Sequence, residues 1–222
     1  METSIKRSPG RPKDAALQER RREEILDRAV GLFAEHGYRN TDLQWVADAL
    51  GVSKGTIYRY FPSKESLFLE AVRRGVNQLF DVVDRAKDDA PDARSFFAAG
   101  IRAYLRFFRE HPQLVELFIQ ERAEFRDRGR PIYFESRDPR RAPLLAKITR
   151  FMDEGQLRRM PVERAVDIVG EMLYGSMFIT HVSGLTKSVE TEADDILDIL
   201  FHGILSNQEC PQQLCSAEDG QI

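Results

Sequence analysis

Apolar residues along this chain recur at spacings of three and four, and this periodicity predicts helix after helix. Between Arg21 and His36 the residues Ile25, Ala29, Leu32 and Phe33 fall on one face, and Gly37 fits the left-handed position that closes a helix. Thr41-Asp42-Leu43-Gln44 has the form of a capping box, with Thr41 at the N-cap and Gln44 three residues later. Leu43, Val46, Ala47 and Leu50 then make the stripe of a short helix that Gly51 ends. Ser53 caps a second short helix, which turns Ile57 and Phe61 inward and stops before Pro62. Ser63 caps a longer one, with Ser66 at the third position and Leu67, Phe68, Ala71 and Val72 carrying it toward Val83.

The polar run from Lys87 to Asp92 interrupts the pattern, and helix is expected again from about Ser95 to Glu110 and from Pro112 to about Phe125. Residues 126–143 contain Gly129, Pro131, Pro139 and Pro143, so no continuous element is assigned there. Helix returns from Leu144 to Met152 and closes at Gly155. Pro161 suits the first turn of a long helix to about Val182, and a last helix runs from about Thr191 to Leu205. Strand signals are nearly absent. The expected fold is all-α.

Two short helices joined by a tight glycine-containing turn, Thr41–Leu50 and Ser53–Tyr60, have helix-turn-helix form. A recognition helix must bring its first turn into a groove about 12 Å wide. Ser53, Gly55 and Thr56 are small enough for that approach. Gly55 inside a helix lowers its propensity by about 1 kcal/mol, which points to clearance rather than stability. Lys54, Tyr58, Arg59 and Tyr60 supply donors and aromatic faces suited to phosphates and base edges. Periodicity alone leaves a merely structural helix pair equally open.

The segment TDLQWVADALGVSKGTIYRYF, Thr41 through Phe61, followed by PSKESLFLEAV, resembles the DNA-binding module of the TetR (tetracycline-repressor) family almost position by position. The likeness covers about residues 20–72 and weakens beyond about residue 75. It implies that Lys54, Gly55, Thr56, Tyr58 and Arg59 face the major groove. It also implies that Thr41, Tyr60 and Lys64 grip phosphates, with the amide end of the Thr41 helix as an added anion site. Val46, Val52, Ile57, Phe61 and Phe33 would be core. Trp45 departs from the family pattern, which commonly has a polar or acidic residue there; it would pack on the first helix, the preferred reading, or lie near the DNA backbone.

Charge sharpens the picture. The chain has 222 residues and a net charge of −3. Residues 1–75 carry 14 Lys and Arg against 11 Asp and Glu, and the remainder carry 19 against 25. The basic groups therefore gather at the end with the helix-turn-helix. Within residues 6–13, Gly10-Arg11-Pro12 flanked by basic residues resembles an AT-hook, whose Arg11 would enter an A·T minor groove. An inert tail is the competing reading of this arm.

Other classes find little support. There is no apolar run long enough to span a membrane and no secretory h-region at the start. Cys210 and Cys215 lie in a polar tail, so a cytoplasmic protein without a structural disulfide is expected. His36, His111, His181 and His202 make no metal-ligand spacing, and no phosphate-binding glycine loop or readable triad appears. No cofactor, metal or enzymatic activity is expected.

The second half reads as an effector-binding and dimerisation domain. Aromatic residues crowd positions 96–134 and 172–181. Most are core by default. Tyr104, Phe107, Phe118, Met177, Phe178 and His181 are the candidates for a largely apolar effector cavity. Small residues at Ala165, Gly170, Gly175, Ser176 and Gly203 would let helices of two copies pack closely.

The expected organisation is a basic arm (1–19), a three-helix DNA-binding domain (20–66), a larger helical domain (67–206) and a disordered tail (207–222). The expected function is a sequence-specific transcriptional regulator, a ligand-responsive repressor. As a homodimer it would bind a palindromic double-stranded operator and be released by a small apolar effector. Two other classes stay open: a non-specific architectural DNA binder, and an all-helical enzyme or ligand-binding protein.

Overall fold

The computed structural model describes residues 15–184 and 187–204. Among them the chain forms nine helices and no strand: α1 (Ala15–Asn40), α2 (Leu43–Ala49), α3 (Lys54–Tyr60), α4 (Lys64–Asp88), α5 (Ala93–Glu110), α6 (Pro112–Glu124), α7 (Ile132–Asp153), α8 (Val162–Ser183) and α9 (Val189–His202). The all-α expectation holds. The Arg11 arm and the segment 207–222 lie outside the described residues.

α1 begins six residues before the periodic stretch, and Glu24 pairs with Arg20 and Arg21 at i,i+4 and i,i+3 spacing on its outer face. It kinks at Gly37 (φ 80°, ψ 158°), a backbone setting that favours glycine. The next turn corrects the expected capping box. Thr41 is 1% exposed, and its hydroxyl donates to the Gly37 carbonyl at 2.8 Å, with the Leu32 carbonyl also within reach at 3.2 Å. It closes the end of α1, adding a side-chain bond to a Gly37 carbonyl that also accepts the Thr41 amide at 3.2 Å. Asp42 caps α2 instead, its carboxylate accepting the Gln44 amide at 2.8 Å.

α4 is the common beam. Its 25 residues give a length of about 37 Å. Near its start Phe68 meets Phe33 of α1 edge-on at 5.1 Å between ring centroids. Midway, Gly75 lies so close to α6 that a Cβ would overlap the Leu114 side chain. One core cluster consequently runs from Ile25 of α1 to Leu197 of α9. The expected boundary at 66/67 falls inside this single helix.

The largest departure is α7. It starts at Ile132 and continues through Pro139 and Pro143, where no element was expected. Both prolines sit on the exposed side, where a carbonyl that has lost its amide partner can turn to water. Glu121 of α6 secures the start by accepting the Ile132 amide at 2.9 Å. A second, smaller core of Ala93, Phe96, Ile148, Phe151 and Met152 anchors the far end.

α8 is unusual for its length, since Met177 is its one buried residue. Ile168, Met172, Gly175, Ile179 and Val182 share a face by helical spacing, with Ile179 63% and Val182 73% exposed. A Cβ at Gly175 would meet nothing within 4 Å.

Candidate DNA-reading helix and effector cavity

Gly51 (φ 63°) makes the turn between α2 and α3, and the Val52 amide donates back to the Ala47 carbonyl at 3.0 Å. Ser53 then caps α3, its hydroxyl accepting the Thr56 amide at 3.2 Å. Ile57 and Phe61 anchor the helix with 0% and 1% exposure. The opposite face, with Tyr58 and Arg59, is exposed. Tyr58 is 46% exposed, and the Arg59 guanidinium lies 5.3 Å from the centre of the Tyr60 ring. At Gly55 a Cβ would meet only the Ser53 hydroxyl, at 3.8 Å. Nothing among the described residues demands glycine there.

The cations around this face are held ready. Lys54 pairs with Asp42 at 2.6 Å, joining the starts of α3 and α2. The Gln44 amide and then Lys54 hold the Asp42 carboxyl below its usual range, and Asp42 raises the Lys54 ammonium. Lys64 donates to the Arg39 carbonyl at 2.9 Å and lies 4.8 Å from the centre of the Tyr38 ring. Partial burial lowers its pKa, opposed by the nearby Asp42 and Glu124 charges.

Two expected DNA contacts are not built. The Thr41 hydroxyl is buried and already committed to α1 carbonyls. At the start of α2 the Asp42 carboxylate occupies the Gln44 amide, which the expected anion site would have used. Trp45, 43% exposed, packs edge-on against His36 of α1 at 5.0 Å, as the packing reading expected. Arg11 lies outside the described residues.

In the other half, α4, α5, α7 and α8 enclose a cavity of about 140 Å³. Its lining is mostly apolar, including Phe80, Val83, Phe97, Ile101, Leu144 and Leu173. Tyr104 also lines it and lies 3.3 Å from Tyr133, hydroxyl to hydroxyl. Burial pushes the Tyr104 phenol well above its ordinary value, and Tyr174 beside Tyr133 is raised to about 12, again chiefly by burial. These phenols stay neutral and able to donate.

The six expected cavity residues do not converge. Tyr104 alone lines this cavity. Met177 and His181 line a second one of about 230 Å³, where His181 contacts Glu116 at 2.6 Å. Phe107, Phe118 and Phe178 line neither and belong to the core: Phe107 packs on His111, Phe118 between Phe108 and Tyr133, Phe178 on Tyr174. Conversely, Arg137, Arg140 and Arg141 at the apolar cavity went unnoticed. Their signal was a basic run at i, i+3 and i+4 inside the proline-broken stretch.

Residues 25–71 match the bacterial regulatory proteins of the tetR family. Over this stretch the chain carries a tetR-family DNA-binding module, which supports a TetR-family transcriptional regulator. Among curated relatives, it is 28% identical over 143 residues to the HTH-type transcriptional repressor KstR2 of Mycobacterium tuberculosis, covering 62% of this chain and 70% of that one. It is 26% identical over 186 residues to the repressor AcnR of Corynebacterium glutamicum, covering 81% and 89%. In fold the chain is similar to the transcriptional regulator FadR of Bacillus subtilis solved with stearoyl-CoA. The TM-score is 0.71 at 18% identity, over 82% of this chain and 99% of that one. Among the described residues no helix is long and apolar enough to cross a membrane, and no group of side chains is placed to hold a metal.

Proposed function

We propose that this regulator is a ligand-responsive repressor that binds a palindromic operator as a homodimer and lets go when a small, largely apolar effector fills the cavity between α4, α5, α7 and α8. One observation carries the reading. α3 is pinned by Ile57 from beneath while its outer face exposes Tyr58 and Arg59 around a glycine that the protein itself does not need. In this reading Lys54, Thr56, Tyr58 and Arg59 enter the major groove, Gly55 gives clearance, and Tyr60 and Lys64 hold phosphates. The protein acts by binding in the cytoplasm, without catalysis. The module at 20–66 reads DNA, and 67–206 senses and dimerises.

The exposed apolar stripe of α8 supports the dimer. A stripe of Ile168, Ile179 and Val182 beside an unobstructed Gly175 suits a second copy of the same helix. Two recognition helices can then enter successive major grooves about 34 Å apart. Effector binding that changes this separation releases the operator. The relatives named as repressors and the neighbour solved with stearoyl-CoA support both halves of the proposal.

Selection of duplexes from a random pool by the purified protein tests it. A recovered inverted repeat is expected. Uniform binding to all sequences with a steep salt dependence would instead mark an architectural binder. Val182→Glu should yield a folded monomer in sedimentation and lose most operator affinity; an intact dimer would show that α8 is not the interface.

A further inference from the structure

We infer that the effector is an apolar molecule ending in an anionic group, with its body in the cavity and its anion against Arg137. This rests on the cavity being the effector site. Polarity there is segregated. Ile101 and Ile148 form a deeply buried floor that is apolar but for the hydroxyl pair of Tyr104 and Tyr133. Lys87 from the end of α4 and Arg137, Arg140 and Arg141 from one stretch of α7 form the rim.

The rim is not neutralised evenly. Lys87 pairs with Asp84 at 2.8 Å, and Arg140 with Asp81 at 2.6 Å and Asp84 at 3.3 Å. Arg141 holds both oxygens of Asp167, at 2.5 and 2.9 Å. Arg137 reaches only that same carboxylate, at 3.5 Å. Its Nε is buried and has no hydrogen-bond partner among the described residues. A guanidinium offers five donors, and leaving a buried one unmet is unfavourable. Gly170 accommodates this group, since a Cβ there would sit 3.2 Å from an Arg137 terminal nitrogen.

Outside the rim lies a vestibule of about 400 Å³ that shares Lys87 and Arg140 with the cavity and adds Lys147. The Lys147 ammonium lies over the Phe151 ring at 5.2 Å and has no carboxylate partner among the described residues. Of the five cations that line cavity and vestibule (Lys87, Arg137, Arg140, Arg141, Lys147), Arg137 and Lys147 are the two least matched by carboxylates. An anion completes this set. A neutral ligand would dry the mouth and leave Arg137 still wanting, and a cation would add repulsion. The small cavity favours a short or narrow body, with the head reaching the vestibule.

Calorimetric titration of the full chain with octanoate, octyl phosphate and octanol tests this. At least one anion should bind about tenfold or more tightly than octanol. Which anion leads distinguishes a carboxylate from a phosphate head. Arg137→Met, which keeps the apolar stem, should bring the anions down to the octanol level, and Arg137→Lys should keep part of the preference. The melting transition and operator binding of both variants without ligand report their folding. If octanol matches both anions, or the preference survives in folded Arg137→Met, the inference is overturned. Ile101→Trp, which fills the cavity, should abolish binding of all three probes. Undiminished binding there would overturn the cavity itself as the site, a separate failure.

Discussion

Tyr58 and Ile57 are adjacent on α3 and face opposite ways, so substituting each in turn separates reading DNA from holding the reader. Tyr58 is 46% exposed, and its hydroxyl takes part in no hydrogen bond among the described residues. Tyr58→Phe therefore removes nothing the folded protein uses, and the melting temperature should stay within a degree or so. If the hydroxyl reaches a base edge or phosphate, each protomer loses a hydrogen bond of about 0.5–1.5 kcal/mol. A dimer loses it twice, so about 1–3 kcal/mol, or roughly five- to 150-fold in operator affinity. Ile57 is 0% exposed inside the α1–α3 core. Ile57→Ala should lower stability by about 2–5 kcal/mol, with DNA binding lost because α3 is no longer held. Fluorescence anisotropy with the selected operator at fixed salt, alongside thermal melts, reads both quantities. Unchanged operator affinity in Tyr58→Phe would refute the placement of this face in the groove. A loss of melting temperature in the same variant would refute the view that the hydroxyl is idle in the free protein.

Asp42→Asn keeps an acceptor for the Gln44 amide but removes the pair with Lys54 and a negative charge beside the phosphates. Affinity for DNA of any sequence should rise several-fold at low salt, and the gain should fade as salt is added; weaker binding than the parent would show that Lys54 must be pre-positioned by Asp42. Glu121 titrates above its ordinary value, chiefly through burial, so its charge destabilises the fold as pH rises through its folded pKa and that penalty is absent below the ordinary carboxylate range. Glu121→Gln, which still accepts the Ile132 amide, should melt higher than the parent at pH 7.5, and the difference should vanish toward pH 4. A difference that grows on acidification would contradict the sign.

Local signals made the reading module legible. Gly51, Ser53, Pro62 and Ser63 each act on the backbone within a few residues, and all four mark the boundaries found. Thr41 and Asp42 are both competent caps in tandem, and spacing to Gln44 favoured the wrong one. What decides between them is tertiary closure: the Thr41 hydroxyl is drawn inward to the carbonyls at the end of α1, leaving Asp42 outside. The cavity was less legible for the same reason. Its walls come from four helices far apart in sequence, and one of them, α7, runs through two prolines that locally argue against it. Aromatic density pointed to the right half of the chain, but density cannot distinguish rings that interlock from rings that stand back around a space.

The two sites meet through packing that leaves little room for independent movement. α4 begins at Lys64, which caps the end of α1 beside the reading face, and ends near Lys87 on the cavity rim. α6 touches the same end of α1 twice, through Gln120 to the Phe33 carbonyl at 2.9 Å and through Glu124 to Arg39 at 2.7 Å. Phe125 follows it as a wedge, 4.9 Å from the Tyr38 ring and 5.6 Å from that of Phe68. A ligand shifts such an assembly only by its difference in affinity between two packings. Under the proposed function the cavity would supply that difference, since an effector in it would push on α4 and α7 while an anion on Arg137 would compete with the α7–α8 ion pair to Asp167. The α4–α6 contact at Gly75 and Leu114 has no slack to absorb the movement. A displacement of α4 would then be passed to α1 and, with it, to the floor on which α3 stands.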